Sequence, residues 1–488
     1  MSLRAVKTNP VIYEHVPQDR PRIDENASSK GEAMERKTGW EIWNEKIRKD
    51  AEKFCEGYKE FLSKNKTERK FVKGCADRAE KEGFKPLNAF KKLLAGDRFY
   101  MVNKGKVIAL GKIGKKSLDS GCRFIVAHID SPRLDLKANP LYEDENICLL
   151  KTCYYGGIKK YQWLTIPLAI HGTVVFKNGK SKEIEIGERD SDPVFNITDL
   201  LPHLGKDQAK KTIEEGFPGE NLNIIVGSIP DVRQKKEKTK NNILKILKDS
   251  YGIEEADFIS SEFQFVPAGK LKDAGFDRSM ILGYGQDDRV CAYTGMEAML
   301  SVEKPEQTTF CILVDQEEIG SRGSTSAQSE FFRFLIEEVL EKSGLAAKDF
   351  KSAMQNSRAI SADVDTIFDP NYKEVTDPRN TARLGCGVIL TRITGGRGKG
   401  GSIEPPAEYI AYIRKIFDEN GIVWQPGEIG KIEQGGGGTI ATYIARYNMD
   451  TVDCGTGVLS MHAPYELTSK ADIYSTYLAY RVFYSEKI

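Results

Sequence analysis

Several apolar runs in this sequence stop at residues that can hold metal ions or move protons. His128 and Asp130 follow Phe124-Ile125-Val126-Ala127, and Asp287 and Asp288 follow the Ile281–Gln286 run. Glu317 and Glu318 close Ile312-Leu313-Val314-Asp315-Gln316, Asp363 follows Ala359-Ile360-Ser361-Ala362, and His462 lies in Val458–Pro464. Open α/β sheets bind ligands beyond the carboxyl ends of their strands. Read as strand ends, these residues bring two of the chain's five histidines and a surplus of carboxylates to one edge. Four or more buried carboxylates cannot stay ionised together without a compensating cation, and two divalent metal ions would supply one. A donor set of imidazole and carboxylate without thiolate suits Zn²⁺, with Co²⁺ and Mn²⁺ as alternatives. Taken singly, a histidine or an acidic pair of this kind is more often structural; the joint pattern is what points to metal.

The elements that would carry these residues form two kinds of pattern. Trp40, Trp43, Ile47, Phe54, Tyr58 and Phe61 recur at mostly three- and four-residue steps, so the stretch from Trp40 to about Lys85 reads as helical. A hairpin turning at Asn103-Lys104-Gly105 and a buried strand from Cys122 follow. From about Leu134 to Phe265 short strand-like pieces alternate with turn residues, as in a β-rich insertion. From about Gly283 strands and helices alternate, and two of the helices stop at glycine. The expectation is an α/β fold: a mostly parallel sheet flanked by helices, with an inserted β-rich domain. The catalytic domain would comprise residues 1–133 and 271–488, and the insertion residues 134–270.

The 488 residues carry a formal net charge of +1, with 29% charged and 40% hydrophobic residues. No global field would hold nucleic acid or an anionic membrane, and the basic run Arg233–Asn242 reads as a solvated loop entering a helix. No apolar run approaches the ~20 residues a membrane span needs. The N-terminus shows no apolar signal segment and reads as a polar arm to about Glu32. Nine cysteines without a Cys-x-x-Cys pair read as reduced thiols of a cytoplasmic protein rather than a thiolate zinc site or a nucleophile.

The segments AHIDSPRLD, GQDDR, DQEEIGSRG, SADV followed by DPNY, and MHAPYE, in order from Ala127 to Glu466, resemble those of the M18 aspartyl aminopeptidases, a family of metallo-aminopeptidases. The stretch from Tyr154 through Val175 resembles that family's inserted domain. The resemblance implies that Asp287 bridges two metal ions, that His128 and Asp363 complete one site, and that Glu318 and His462 complete the other. It makes Asp130 the acid that orients the His128 imidazole and Glu317 the general base. The adjacency of Glu317 and Glu318 would then let one bind metal while its neighbour reaches the water to be activated. Peptide substrates would present a free N-terminus, and the chain would self-associate as a dimer within a tetrahedral dodecamer.

Substrate-binding candidates are Arg397 and Lys399 in TGGRGKGGS, which stand where the family's preference for acidic N-terminal residues asks for cations. A solvated basic loop is the other reading of that segment. His203 resembles a histidine lent to a neighbouring subunit's active site; otherwise it is a turn residue packing on Leu201 and Leu204. The run Gly435–Gly438 is either a close approach of backbone to substrate or a tight turn. Asp288 reads as a hydrogen-bonding or helix-capping acid, and Asp315 and Asp365 as structural. Family members with acidic preference carry histidine just before PNY, where this chain has Asp369. Acidic, neutral and broad specificity therefore all stay open. Two other functions stay open as well: a metal-dependent deacylase or deacetylase on the same site, and a non-catalytic assembly protein.

Overall fold

The computed structural model describes residues 36–486; the N-terminal arm lies outside the described residues. The described residues form twenty strands, in chain order β1 (Lys85–Pro86), β2 (Arg98–Asn103), β3 (Val107–Lys112), β4 (Arg123–His128), β5 (Arg133–Asp144), β6 (Ile147–Tyr155), β7 (Leu168–Val175), β8 (Ser181–Ile186), β9 (Ile224–Gly227), β10 (Ser261–Pro267), β11 (Lys272–Ala274), β12 (Met280–Gly283), β13 (Thr309–Val314), β14 (Arg358–Ser361), β15 (Asp365–Thr366), β16 (Val388–Ile393), β17 (Trp424–Glu428), β18 (Asp450–Gly455), β19 (Gly457–Val458) and β20 (Glu466–Ser469). Nine of them make one mixed sheet in the order β1-β2-β3-β13-β4-β14-β18-β16-β17. The central neighbours β13, β4, β14 and β18 run parallel to one another.

The central strands are buried on both faces, and their side chains divide by the two-residue period of a strand. Ile125, Ala127, Cys311, Leu313 and Ile360 face one core, shared with the helices Glu45–Lys64, Gln286–Ser301 and Lys470–Ser485. Phe124, Val126, Phe310, Ile312 and Ala359 face the other, shared with the helix Phe331–Lys342. The rings of Phe124 and Phe310 stack there at 4.9 Å between centroids. The result is helices on both faces of a mixed sheet, with β4 in the middle and its carboxyl end open to whatever the adjoining loops supply.

The helical stretch after Trp40 resolves into Gly39–Ile42, Glu45–Lys64 and Glu68–Lys81. The breaks follow capping chemistry: the Asn44 side chain accepts from the Ile47 amide, and Thr67 from the Lys70 amide. Immediately after the His128–Asp130 segment the chain enters a second sheet, β8-β7-β10-β5-β6-β9, antiparallel throughout. Its own apolar core includes Leu134, Trp163, Ile170, Ile184 and Phe265. Ion pairs lock it against the helical N-terminal region: Lys66 to Glu188 at 2.6 Å, with Lys66 buried, and Arg69 to Glu262 at 2.7 Å. Among the described residues, no helix is long and apolar enough to cross a membrane.

Candidate metal centre

Three neighbouring parallel strands deliver four of the expected residues. His128 ends β4, Glu317 and Glu318 form a short turn after β13, and Asp363 follows β14. Asp287 and His462 arrive differently from the strand-end expectation. Asp287 opens the helix Gln286–Ser301, where its peptide bond to Asp288 is cis, and His462 occupies a left-handed turn (φ 64°) between β19 and β20. Both flank the small sheet β11-β12-β20 rather than the nine-stranded one. They are joined by an acid that the sequence patterns leave without a role. Glu466 is buried, and its Oε2 accepts from the amides of Gln286 (2.6 Å) and Asp287 (3.0 Å) while its Oε1 accepts from that of His462 (2.9 Å).

Two triads result, and they share one carboxylate. His128, Asp287 and Asp363 offer ligand atoms within 4.8 Å of one another, as do Asp287, Glu318 and His462. Asp287 Oδ1 is 3.4 Å from His128 Nε2, and its Oδ2 is 3.3 Å from His462 Nε2. Asp363 lies 4.0 Å from His128 Nε2, and Glu318 3.5 Å from His462 Nε2. The Glu317 carboxylate reaches within 3.9 Å of His128 Nε2. His128, Asp287 and Glu318 are nearly closed off from solvent, whereas the His462 side chain keeps 37% of its exposure and Glu317 20%. The centre therefore opens towards solvent on the His462–Glu317 side.

A surrounding layer fixes these groups. Asp130 stands beside His128, with its backbone oxygen 3.0 Å and its carboxylate 3.3 Å from Nδ1. The same carboxylate accepts from the amides of Glu317 (3.1 Å) and Glu318 (3.2 Å) and from the Tyr155 hydroxyl (2.8 Å). One acid thus orients an imidazole through the nitrogen that points away from the triad and sets the turn bearing both glutamates. Asp288 accepts from the His128 amide at 3.3 Å. On the other side His462 Nδ1 lies 2.9 Å from the Gly157 carbonyl. Sequence reasoning missed Glu466, Tyr155 and Gly157 as parts of this centre, although all three fall in stretches that carry the family resemblance.

The charge balance asks for a cation. Burial opposes ionisation of Asp287, but His128 and His462 overcome it and hold the carboxyl below its usual range. Burial, with Asp287 adding to it, pushes Glu318 well up, and burial with Asp288 does the same to Asp363. Against the cost of burial, Asp287 and Glu318 draw the His462 imidazole up to about 10. Glu318 Oε1 is buried and has no hydrogen-bond partner among the described residues. An orphaned carboxylate oxygen, two imidazoles aimed at one shared carboxylate and an all-oxygen-and-nitrogen donor set fit divalent zinc or a similar ion.

The remaining candidates stand apart. Among the described residues, none of Arg397, Lys399 and His203 makes a hydrogen bond or ion pair to the cluster. Arg397 is exposed, and Lys399 pairs with Glu404 at 2.9 Å. Their loop packs on the glycine run through backbone: the Gly395 amide donates to the Gly437 carbonyl, and a Cβ on Gly436 would fall 2.1 Å from the Gly395 oxygen. His203 is exposed in the turn Pro202–Leu204, and its neighbours Leu201 and Leu204 are exposed as well. Asp369 accepts from the Asn371 amide at 2.8 Å, which closes its own turn.

Known proteins resemble this chain over most of its length. Residues 61–484 match the family model described as aminopeptidase I zinc metalloprotease (M18). A Clostridium acetobutylicum protein named "Probable M18 family aminopeptidase 1" is 47% identical over 455 residues, covering 92% of this chain and 98% of that one. The crystal structure of the M18 aminopeptidase from Thermotoga maritima superposes with a TM-score of 0.90 at 45% identity, over 93% of this chain and 100% of the other. A more distant structure, the S. cerevisiae mApe1 dodecamer, shares the fold at 21% identity with a TM-score of 0.70, over 89% of this chain and 97% of that one. Sequence, fold and the chemistry of the clustered side chains agree, and the chain belongs to the M18 family of metallo-aminopeptidases.

Proposed function

We propose that the chain removes N-terminal residues from peptides with a dinuclear zinc centre in which His128, Asp287 and Asp363 hold one ion and Asp287, Glu318 and His462 the other. The observation that carries this reading is the placement of Asp287, which turns one carboxylate oxygen to each histidine. Bound there, a pair of divalent cations supplies Lewis-acid polarisation of a carbonyl and acidification of water. Glu317 is the general base. Burial, only partly offset by His128, raises its carboxyl above the usual glutamate range, which suits a group that takes a proton from water and returns it to the leaving amine. Asp130 keeps the His128 ring in place and, through the two glutamate amides, sets Glu317 beside Glu318. Glu466 performs the equivalent service for Asp287 and His462.

The two-part catalytic domain, residues 1–133 and 271–488, would carry this chemistry, and the inserted segment 134–270 would serve self-association. A large homo-oligomer, as described for a yeast protein of the same fold, would accompany it, and His203 would then be lent to a neighbouring subunit's site. Arg397 and Lys399 would meet the substrate's N-terminal side chain. Were Asp369 to face the substrate, its charge would weaken recognition of an acidic N-terminal residue, so acidic, neutral and broad specificity all fall within this reading. Nine free thiols, eight of them buried, suit a reducing compartment such as the cytoplasm. A panel of amino-acid p-nitroanilides, assayed with Zn²⁺, Co²⁺ and Mn²⁺ beside N-acetylated peptides, tests the reading. Cleavage confined to free N-termini is expected; cleavage of the acetylated substrates alone would replace it with a deacylase.

A further inference from the structure

The antiparallel sheet reaches the metal centre at one place. β6 ends at Tyr155, and the next two residues, Gly156 and Gly157, run along the cluster. The buried Tyr155 ring packs face-on against the Arg133 guanidinium, 3.8 Å from the ring centroid, and Arg133 is itself held by Asp135 at 2.8 Å. So fixed, the tyrosine hydroxyl donates to Asp130 Oδ2 at 2.8 Å, on the carboxylate that steadies His128 and both glutamate amides. Gly156 has φ of 78°, and a Cβ there would stand 3.2 Å from Glu318 Oε2 and 3.3 Å from Glu318 Cβ. Only glycine leaves the Glu318 carboxylate its room without strain. The Gly157 carbonyl lies 2.9 Å from His462 Nδ1, so in the neutral ring that a metal ligand requires, the proton sits on that nitrogen and Nε2 is left bare on the side facing Asp287 and Glu318.

We propose that the tripeptide Tyr155-Gly156-Gly157 is a positioning element of the metal centre, with the Tyr155 hydroxyl serving the His128 triad through Asp130, and Gly156 and the Gly157 carbonyl serving the Glu318–His462 triad. The inference rests on the two-ion reading above. It makes the second sheet part of the catalytic machinery rather than only an attached surface. The ion pairs that lock this sheet, Lys66–Glu188 and Arg69–Glu262, then also hold a wall of the metal site in place.

The alternative is that these contacts merely glue two sheets together, and metal affinity separates the two cases. Zn²⁺ is titrated calorimetrically into the metal-stripped full-length protein and into Tyr155→Phe, Gly156→Ala and, as control, Tyr154→Phe, whose side chain is exposed on the same strand. The metal-free melting temperature of each is read alongside. Removing a hydrogen-bond partner from behind the ligands typically weakens metal binding ~10–100-fold, and Tyr155→Phe should do so. Gly156→Ala should weaken one of the two ions selectively, and Tyr154→Phe should bind as wild type. Zn²⁺ affinities of Tyr155→Phe and Gly156→Ala within about twofold of wild type would overturn the proposal. So would affinity losses no larger than the accompanying losses in metal-free stability. A wild-type protein that takes up no Zn²⁺ would instead remove the two-ion reading, and this proposal with it.

Discussion

Glu466→Gln is the substitution whose outcome the geometry specifies most closely. The carboxylate accepts three amides, two on Oε2 from Gln286 and Asp287 and one on Oε1 from His462. Glutamine keeps the shape but one of its two ends is an NH₂, which cannot accept. Two donors outweigh one, so the amide oxygen should turn to Gln286 and Asp287 and set its NH₂ against the His462 N–H. One buried donor then goes unpaired, at ~1–3 kcal/mol, and the two surviving bonds lose the strength that a charged acceptor gives, at about 1 kcal/mol each. The loss totals about 3–5 kcal/mol, and the one bond lost outright is that to the turn carrying His462, while the Gln286 and Asp287 amides keep an acceptor. Since ~1.4 kcal/mol is tenfold in affinity, even half of it should weaken the ion held by Glu318 and His462 by ten- to a hundredfold. The ion held by His128 and Asp363 should stay within a few-fold. Burial, with Asp287 adding to it, pushes Glu466 up to about 8, so the comparison is made above that pH, where the acid is ionised. Calorimetric Zn²⁺ titration of the metal-stripped proteins reads both sites. Two unchanged affinities, or two equally reduced ones, would refute the argument that Glu466 selectively supports His462.

Glu317→Gln should retain the metal content of the wild type while kcat falls ~10²–10⁴-fold, the usual value of a general base; metal analysis beside steady-state rates checks both, and near-normal turnover would take the base role from this residue. The metal-free protein should lose stability as pH rises. Burial lifts Glu466 to about 8 and Asp315 and Asp472 to about 7, all above the carboxyl range of an unfolded chain. The folded state therefore binds these protons more tightly, so their contribution is complete below the unfolded pKa and is lost as pH climbs through 7 and 8. Melting temperatures of the stripped protein should fall steadily between about pH 5 and pH 9, and a flat or rising profile would contradict the charge balance described for these acids.

How much of this could be read from the sequence depends on how each residue reaches the site. His128, Glu317, Glu318 and Asp363 terminate buried strands whose apolar runs are plain in the sequence, and the rule that α/β sheets bind ligands at carboxyl ends places them together. Asp287 and His462 follow runs that read the same way in the sequence, but neither stands at the end of a strand of the central sheet. β12 and β19 are four and two residues long and neither belongs to the central sheet, so the strand-end rule reaches these two residues by the wrong route and the ordered motifs are the firmer ground for including them. Glu466 sits inside one of those motifs, yet its role depends on three amides from two segments some 180 residues away or nearby in the chain, which no periodicity encodes. Tyr155 and Gly157 are harder still, since their contacts cross between two sheets whose relative placement is set by ion pairs such as Lys66 with Glu188. The outline of the insertion was visible because its short alternating strands differ from the β/α pattern on either side. The pairing order β8-β7-β10-β5-β6-β9 was not, because strand partners are chosen by long-range packing rather than by neighbours in sequence.

The central claim is that one aspartate serves two ions at once, and metal stoichiometry tests it directly. Metal-stripped protein is reloaded with excess Zn²⁺, desalted and analysed for zinc per chain, in the wild type, His462→Ala and Asp287→Asn. Two ions in the wild type, one in His462→Ala and the loss of both in Asp287→Asn are the expected results. A wild type that holds fewer than two ions after reloading, or an Asp287→Asn protein that keeps both, would contradict the account.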